Sequence, residues 1–480
     1  MILHSGTARL IINPKQKKLK NTYFYHMDIS LPSSLLTVLN QSFGINKDLF
    51  LKTHEAAETI TSIRLNPFKP SSLFQNEEPV KWCSFGKYLK ERPAFIADPF
   101  FHAGCYYVQE ASSMFLEHIL REVGDLGEEL RVLDLCAAPG GKSTLISSLI
   151  NEDSLLVSNE IIKTRVPVLA DNMTKWGVLN SVVTNNDPRD FQRLEGYFDI
   201  IVIDAPCSGS GMWRKDPQTI NEWSEANVQL CSQRQQRILA DIYPSLKEGG
   251  LLIYSTCSYS SEENEEVSDW LSDNFNVSSI KIPIPVDWNI AETESEKYKN
   301  YGYRFYPHMV KGEGFFVSCF RKNDTTGHPK QYKPKPSKPN KNELDIVESW
   351  LYSKTDCKLI PVKEGYSAIN PKHVDDILIL QNNLYLKKSG VFAGKVMGKD
   401  LVPDHELALS TILGNNVNRI NLTYEEAIAY LRKDELRLNN AKNGWGLMCY
   451  DGFGLGWAKI LPNRINNYLP KELRILKEIL

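Results

Sequence analysis

At 480 residues the chain is long enough for two or three domains with cores of their own. Its 42% hydrophobic and 24% charged residues are the balance of a globular protein in water, and with no run of about 18 apolar residues there is no membrane-spanning helix to place. A net charge of −2 neither announces nor excludes a nucleic-acid partner, since an even total can hide basic patches. Met1 to Lys20, an apolar patch followed by lysines, has the reverse order of a secretory signal. Nine scattered cysteines, odd in number and without a CxxC pair, argue against a disulfide framework or a metal site and place the chain in a reducing, cytoplasmic setting.

Residues 1–26 look unlike the rest of the chain. Met27-Asp28-Ile29-Ser30-Leu31-Pro32 enters a helix whose apolar face is Leu35, Leu36, Val38, Leu39 and Phe43, so Met27 is the expected biological start and 1–26 an upstream extension. Residues 27–100 read as a small α+β segment, in which Thr61 to Pro67 is a strand carrying Arg64 into a turn. From 101 to 322 strands and helical patterns alternate, the signature of a doubly wound α/β sheet. Arg131 to Cys136 is the first strand, and Ala137-Ala138-Pro139-Gly140-Gly141-Lys142 is a glycine turn opening a helix. Ser154 to Ser158 makes a second strand ending at Asn159-Glu160, with a helix over Ile162–Trp176; Val182 to Thr184 makes a third, ending near Asn186-Asp187. The fourth is the uninterrupted β-branched run Ile200 to Ile203, as a strand covered on both faces needs, and it ends in Asp204-Ala205-Pro206-Cys207. After a helical stretch from Glu222 to Pro244, Gly249-Gly250 forms a turn into a fifth strand that ends at Cys257. Residues 323–342, rich in lysine and proline, are a basic linker. Residues 343–480 restart with a helix over Asn342–Tyr352 and end in glycine- and aromatic-rich strands around Trp445 and Trp457.

Ligands of such sheets bind at the carboxyl ends of the strands, so chemistry is sought there. A glycine turn after the first strand receives a phosphate or nucleoside against the backbone. A phosphate-binding GxxxxGK[ST] loop would need its first glycine where Cys136 stands, and the dinucleotide pattern GxGxxG is absent. S-adenosylmethionine fits better: the turn lies beside its amino-acid part, Glu160 is placed for the ribose hydroxyls, and Asp187 for the adenine. Cys207 and Cys257, at the ends of neighbouring strands, can share one pocket and point to a thiolate nucleophile. Cytosine explains that need. A thiolate added to C6 makes C5 nucleophilic, a carboxyl group at N3 stabilises the adduct, and loss of the C5 proton then releases the thiol. Asp204 is the N3 candidate, kept protonated if burial raises its pKa. Which cysteine attacks is a near tie on the residues alone.

Cys136-Ala137-Ala138-Pro139-Gly140-Gly141-Lys142, Asp204-Ala205-Pro206-Cys207-Ser208-Gly209 and Ser255-Thr256-Cys257-Ser258, with the approach segment Tyr107 to Met114, resemble the signature motifs of the NOL1/NOP2/Sun family of RNA 5-methylcytosine methyltransferases. The resemblance implies a class I methyltransferase domain, Cys257 as nucleophile and Cys207 as the residue that assists product release. It also implies a cofactor pocket built from Cys136, Ala137, Ala138, Pro139, Gly140, Gly141, Lys142, Glu160, Asp187 and Asp204, with Arg165 nearby and Lys142 lining the site. Leu401 to Leu409, the Trp445 and Trp457 strands, and Asn466 to Lys471 resemble the extra domain of the family's bacterial small-subunit rRNA members, the RsmF/YebU type. That implies RNA-binding modules at both ends, the C-terminal one PUA-like, and 16S rRNA or the 30S subunit as partner of a monomeric enzyme. The competing readings are the same chemistry on tRNA, and a non-catalytic RNA-binding ribosome-assembly factor. Amino-group methylation typically shows [DN]-P-P-[YF] where this chain has Asp204-Ala205-Pro206-Cys207. Removal of 343–480 is expected to weaken RNA binding more than cofactor binding.

Overall fold

The computed structural model describes residues 31–56, 59–325, 339–353, 355–438 and 442–476. The Met27 start, the 1–26 extension and residues 326–338 of the basic linker lie outside them. The chain forms two compact units, one ending at Glu58 and the other running from Thr59. The first holds helices Ser33–Phe43 and Lys47–Glu55. Leu35, Leu36 and Leu39 are buried, while Val38 and Phe43 stay partly exposed. Gly44 ends the first helix at φ 64°, and the Asn46 side chain caps the second.

The second unit opens with a four-stranded antiparallel sheet in the order Glu78–Pro79, Gly86–Leu89, Thr61–Leu65, Tyr106–Val108. Its centre is a doubly wound sheet. Eight of its ten strands are β1 (Arg131–Asp134), β2 (Leu155–Asn159), β3 (Ser181–Thr184), β4 (Phe198–Asp204), β5 (Leu246–Thr256), β6 (Tyr301–Phe305), β7 (Phe315–Lys322) and β8 (Leu386–Ser389). They lie in the order β6-β7-β5-β4-β1-β2-β3-β8, with β1 to β5 parallel and β7 reversed against β5. Ile200, Ile201, Val202 and Ile203 of β4 are all buried, as the β-branched run requires. Strand order turns back on itself between β1 and β4, so the loops after these two strands flank the crevice where such sheets bind ligands.

Two elements differ from the sequence reading. Helix α2 (Val166–Trp176), which follows α1 (Gly141–Ser147), starts at Val166 and not at Ile162, because Pro167 is tolerated only in a first turn. Gly249 and Gly250 lie inside β5, not in a turn before it. Gly249 is at φ +74° and the β4–β5 register slips between Phe198 and Ile200, so the pair makes a bulge.

After the linker, helix Lys341–Glu348 is followed by two further four-stranded sheets, 358–403 and 419–467, the second holding the Trp445 and Trp457 strands. Trp457 is core, its Nε1–H donating to the Asp404 carbonyl at 2.7 Å, whereas Trp445 is partly exposed under the Lys459 ammonium. Between α3 (Glu225–Ile242) and this region the chain makes an unforeseen junction. Helix α4 (Val374–Asn383) packs Ile377 and Leu380 into the core of Leu133, Val157 and Ile201, and β8 pairs antiparallel with β3. Among the described residues no helix is long and apolar enough to cross a membrane.

Candidate active site

The glycine turn is held from below by groups far away in sequence. Asp134, at the end of β1, accepts from Ser143 Oγ at 2.6 Å, and burial pushes its carboxyl up to about 7. The Ala137 N–H donates to the Asn159 carbonyl (2.8 Å), fastening the turn to β2, and Gly140 sits at φ 115°, a conformation that favours glycine. Arg64, fully buried, donates to Gln109 Oε1 (2.9 Å), the Gly141 carbonyl (3.2 Å) and Thr144 Oγ1 (2.5 Å), with its guanidinium 4.6 Å from the Trp176 ring. The sequence placed Arg64 on a strand but gave no sign that the strand passes beneath the turn.

Glu160, just past β2, is buried. One oxygen accepts from the Ile162 N–H (2.8 Å), while Oε2 lies 3.3 Å from Arg165 Nη1 and takes no hydrogen bond. Arg165 Nη2 donates to the Ala138 carbonyl, so the arginine ties the acid to the turn. Asp187, past β3, accepts from the N–H of Arg189 (3.1 Å); desolvation pushes its carboxyl up, but the bonds from Arg189 outweigh it and the pKa is lowered. Its side chain bonds to Arg189 and, among the described residues, to none of the other candidates. Cys136 is partly buried, and burial, reinforced by the charges of Asp134, Asp204 and Glu160, raises its thiol far above the ordinary range, so it stays neutral. Ile161 and Ile162 are close to half exposed beside Glu160. Two isoleucines directly after a strand-end acid were the signal for an apolar wall, and the sequence reading passed over it.

The two thiols meet: Cys207 Sγ and Cys257 Sγ are 3.1 Å apart. Lys142 Nζ pairs with Asp204 Oδ2 at 2.8 Å, and Ser255 Oγ donates to Asp204 Oδ1 at 3.1 Å. The expected burial of Asp204 does not hold. Its side chain is 38% exposed, because the strand ends at the crevice and the ammonium of Lys142, only 11% exposed, partners it there. Burial pulls the Lys142 ammonium down, but Asp204, and after it Asp134 and Cys257, more than offset this and keep it charged. The Cys207 thiol is raised well above its ordinary value, first by its hydrogen bond to Cys257, then by burial and the charges of Cys257 and Glu263. Glu263, which the sequence reading did not single out, accepts from the Ser208 N–H (2.8 Å) and from the hydroxyls of Ser208 and Ser258 (2.5 Å each).

A sheet ordered 3-2-1-4-5-7-6 with its seventh strand reversed, and with a glycine turn and acidic strand ends along its crevice, is that of a class I methyltransferase. The family model for the 16S rRNA methyltransferase RsmB/F matches residues 123–321, that for the N-terminal domain of 16S rRNA methyltransferase RsmF matches 31–111, and that for the methyltransferase RsmF PUA domain matches 417–475. The ribosomal RNA small subunit methyltransferase F of Shewanella piezotolerans is 30% identical over 82% of this chain and 85% of its own length. The protein of that name from Aliivibrio salmonicida is 29% identical over 93% of this chain and 98% of its own. The chain belongs to the ribosomal RNA small subunit methyltransferase F family. Among solved structures, NSun6 from Pyrococcus horikoshii with SFG shares the fold, at TM-score 0.50 and 20% identity over 61% of this chain and 98% of that one.

Proposed function

We propose that this chain transfers a methyl group from S-adenosylmethionine to C5 of a cytidine in 16S rRNA, through a covalent bond between Cys257 and C6 of the base. The observation that carries the reading is the pair of thiols 3.1 Å apart at the ends of adjacent strands, beside the Lys142–Asp204 pair. Methyl transfer to an exocyclic amino group needs no thiol, and one nucleophile needs no second thiol at contact distance.

The residues at the crevice fit the cofactor. Glu160 keeps a buried oxygen without a hydrogen-bond donor, which suits ribose hydroxyls, and Ile161 stands exposed beside it for an aromatic base. The Cys136–Lys142 turn would hold the amino-acid part, Arg165 would fix turn and Glu160 together, Asp187 would meet the adenine, and Asp204 the amino group. When bound, S-adenosylmethionine supplies an electrophilic methyl group.

Two features of the thiols support these roles. Cys207 is held protonated by its hydrogen bond to Cys257, by burial and by the charges of Cys257 and Glu263, and Cys257 lies within electrostatic reach of the Lys142 ammonium. Cys257 Sγ, its proton passed to solvent, adds to C6; the C5–C6 π pair moves into the ring, N3 takes up a proton from solvent, and the N3–H donates to Asp204 at the open crevice, leaving C5 nucleophilic. Once C5 carries the methyl group, its proton must leave so that the C6–S bond can break. With Cys257 bonded to C6, its charge no longer opposes ionisation of Cys207; Cys207 loses its thiol proton to solvent and takes the C5 proton, the C–H pair re-forms the C5–C6 double bond, Cys257 leaves as the thiolate, and N3 returns its proton to solvent.

Purified protein with radiolabelled S-adenosylmethionine, given 30S subunits, free 16S rRNA and bulk tRNA from cells lacking the gene, tests this after digestion to nucleosides. Label in 5-methylcytidine from 30S or 16S rRNA is the expected result. Label from tRNA alone overturns the substrate, and label in any other nucleoside overturns the chemistry. Cys257→Ala should abolish turnover with cofactor affinity unchanged; retained turnover would reverse the roles of the two cysteines.

A further inference from the structure

Both cysteines sit on loops just beyond strand ends, where nothing in the strands themselves fixes the distance between two side chains. Glu263 bridges these loops. It is fully buried and lies on the short turn after β5, its own carbonyl held by the Tyr254 hydroxyl at 2.6 Å. One carboxylate oxygen accepts from the N–H of Ser208 (2.8 Å) and from Gln235 Nε2 (3.1 Å); the other accepts from the hydroxyls of Ser208 and Ser258. Ser208 follows Cys207 directly and Ser258 follows Cys257 directly. The neighbouring Asn264 also anchors the second loop, accepting from Thr256 Oγ1 and donating to the Ser258 carbonyl, but has no bond to the first. A carboxylate only accepts, and four donors converge on this one, so its bonds are directional and charge-assisted.

We propose that Glu263 is a positioning residue that locks the loops of Cys207 and Cys257 together and so sets the contact between their thiols. The proposal rests on the reading that Cys257 attacks and Cys207 releases product, because only then does the spacing matter for turnover. Glu263 touches neither thiol by hydrogen bond and acts through Ser208 and Ser258. If the lock is lost, Cys257 still reaches C6 while Cys207 no longer sits over the C5 proton. Attack then outruns release and the covalent adduct accumulates.

The test compares Glu263→Ala, Glu263→Gln and Ser208→Ala with the wild-type chain. Its first readout is thiol spacing itself, as the rate at which diamide oxidises the pair: both thiols lose hydrogen, one S–S bond forms, the diazene is reduced to the hydrazine, and peptide mapping identifies the Cys207–Cys257 link. Glu263→Ala should slow this about tenfold, the scale of lost orientation between two reacting groups. Removing the negative charge of Glu263 would by itself make Cys207 more acidic and speed oxidation, so slowing reports geometry. Glu263→Gln keeps the shape and an acceptor, the hydroxyls turning to face its amide, and should restore the rate to within about threefold. Ser208→Ala removes one anchor without opening the core and should slow the rate about threefold, which keeps the proposal testable if Glu263→Ala fails to fold.

The second readout is adduct accumulation with RNA on a denaturing gel, expected in Glu263→Ala with cofactor affinity within about twofold of wild type. Wild-type oxidation rates in Glu263→Ala and Ser208→Ala overturn the lock. Slowed oxidation in Glu263→Ala, together with turnover retained by the separate Cys257→Ala chain, supports the lock and overturns the cysteine roles instead.

Discussion

Asp134 shows how the Ala137–Lys142 turn stores a pH-dependent cost. Burial lifts its carboxyl from an ordinary 3.8 to about 7, so between those values the folded chain binds a proton that the unfolded chain does not. The resulting stabilisation is fully present below 3.8 and drains away as pH rises through about 7. Asp134→Asn keeps an acceptor for Ser143 and removes the ionisation. In urea unfolding the variant should therefore gain on wild type as pH rises from about 5 to about 8, by about 3 kcal/mol, the two units between about 5 and about 7 counting about 1.4 kcal/mol each. A wild-type-minus-variant difference that stays flat over that range would contradict the assignment. At this scale the sequence was informative about placement where residues end neighbouring strands, as at Cys207 and Cys257, whose thiols meet as expected. It was silent where a side chain acts across the fold: Arg64 supports a turn about 77 positions away, and Glu263 joins two loops only once β4 and β5 are neighbours.

The elements around the thiols are packed backbone against backbone. The Gly211 N–H donates to the Cys257 carbonyl at 2.8 Å, and the Gly314 N–H donates to the Gly211 carbonyl at 3.1 Å, linking the loop after β4, the end of β5 and the start of β7. A Cβ on Gly211 would lie 2.4 Å from the Gly314 oxygen and 2.8 Å from the Cys257 oxygen, neither of which can move alone. Gly211→Ala should therefore destabilise the fold by about 1–3 kcal/mol and, by displacing Cys257, lower turnover about tenfold or more. Gly127→Ala, where a Cβ meets nothing within 4 Å, is the control. Thermal melts and single-turnover rates check both, and a Gly211→Ala chain with wild-type turnover would show that this approach does not set the cysteine. The strands themselves were readable because β-branched runs bounded by turn residues admit few alternatives. Their edges were less so: the Gly249-Gly250 bulge is indistinguishable in sequence from a turn, since both ask for the same backbone freedom.

Across the whole molecule, the segment after the basic linker is not confined to modules of its own. Asp376 accepts from Arg131 Nε (2.8 Å) and from the Tyr197 hydroxyl (2.6 Å), and Arg193 donates to the Asn383 carbonyl (3.0 Å). Past the end of β3 the Asn185 N–H donates to the Tyr385 carbonyl (3.1 Å), and the Tyr385 N–H to Asn186 Oδ1 (2.9 Å), so residues beside Asp187 are braced by the chain leading into β8. The expectation that loss of 343–480 weakens RNA binding more than cofactor binding changes accordingly. A chain ending at residue 342 should lose cofactor affinity as well as stability, because it exposes the apolar face that α4 covers and the edge that β8 pairs. A chain ending at residue 390 keeps both elements and should bind cofactor but less RNA. Calorimetric titration with S-adenosylmethionine separates the two cases, and wild-type affinity in the shorter chain would show that α4 and β8 are dispensable. No local pattern announces this junction, since a four-residue strand pairs with a partner about 200 positions earlier.

The proposed reaction path runs through a covalent bond between Cys257 and the RNA, and Cys207 is needed to resolve it. The most direct measurement incubates Cys207→Ala, Cys257→Ala and the double variant with S-adenosylmethionine and labelled 16S rRNA, free and in 30S subunits, and resolves the products on a denaturing gel. Cys207→Ala should give a slow band that contains both protein and RNA, and Cys257→Ala and the double variant should give none. A band that persists without Cys257, or free turnover by Cys207→Ala with no band, would contradict the account.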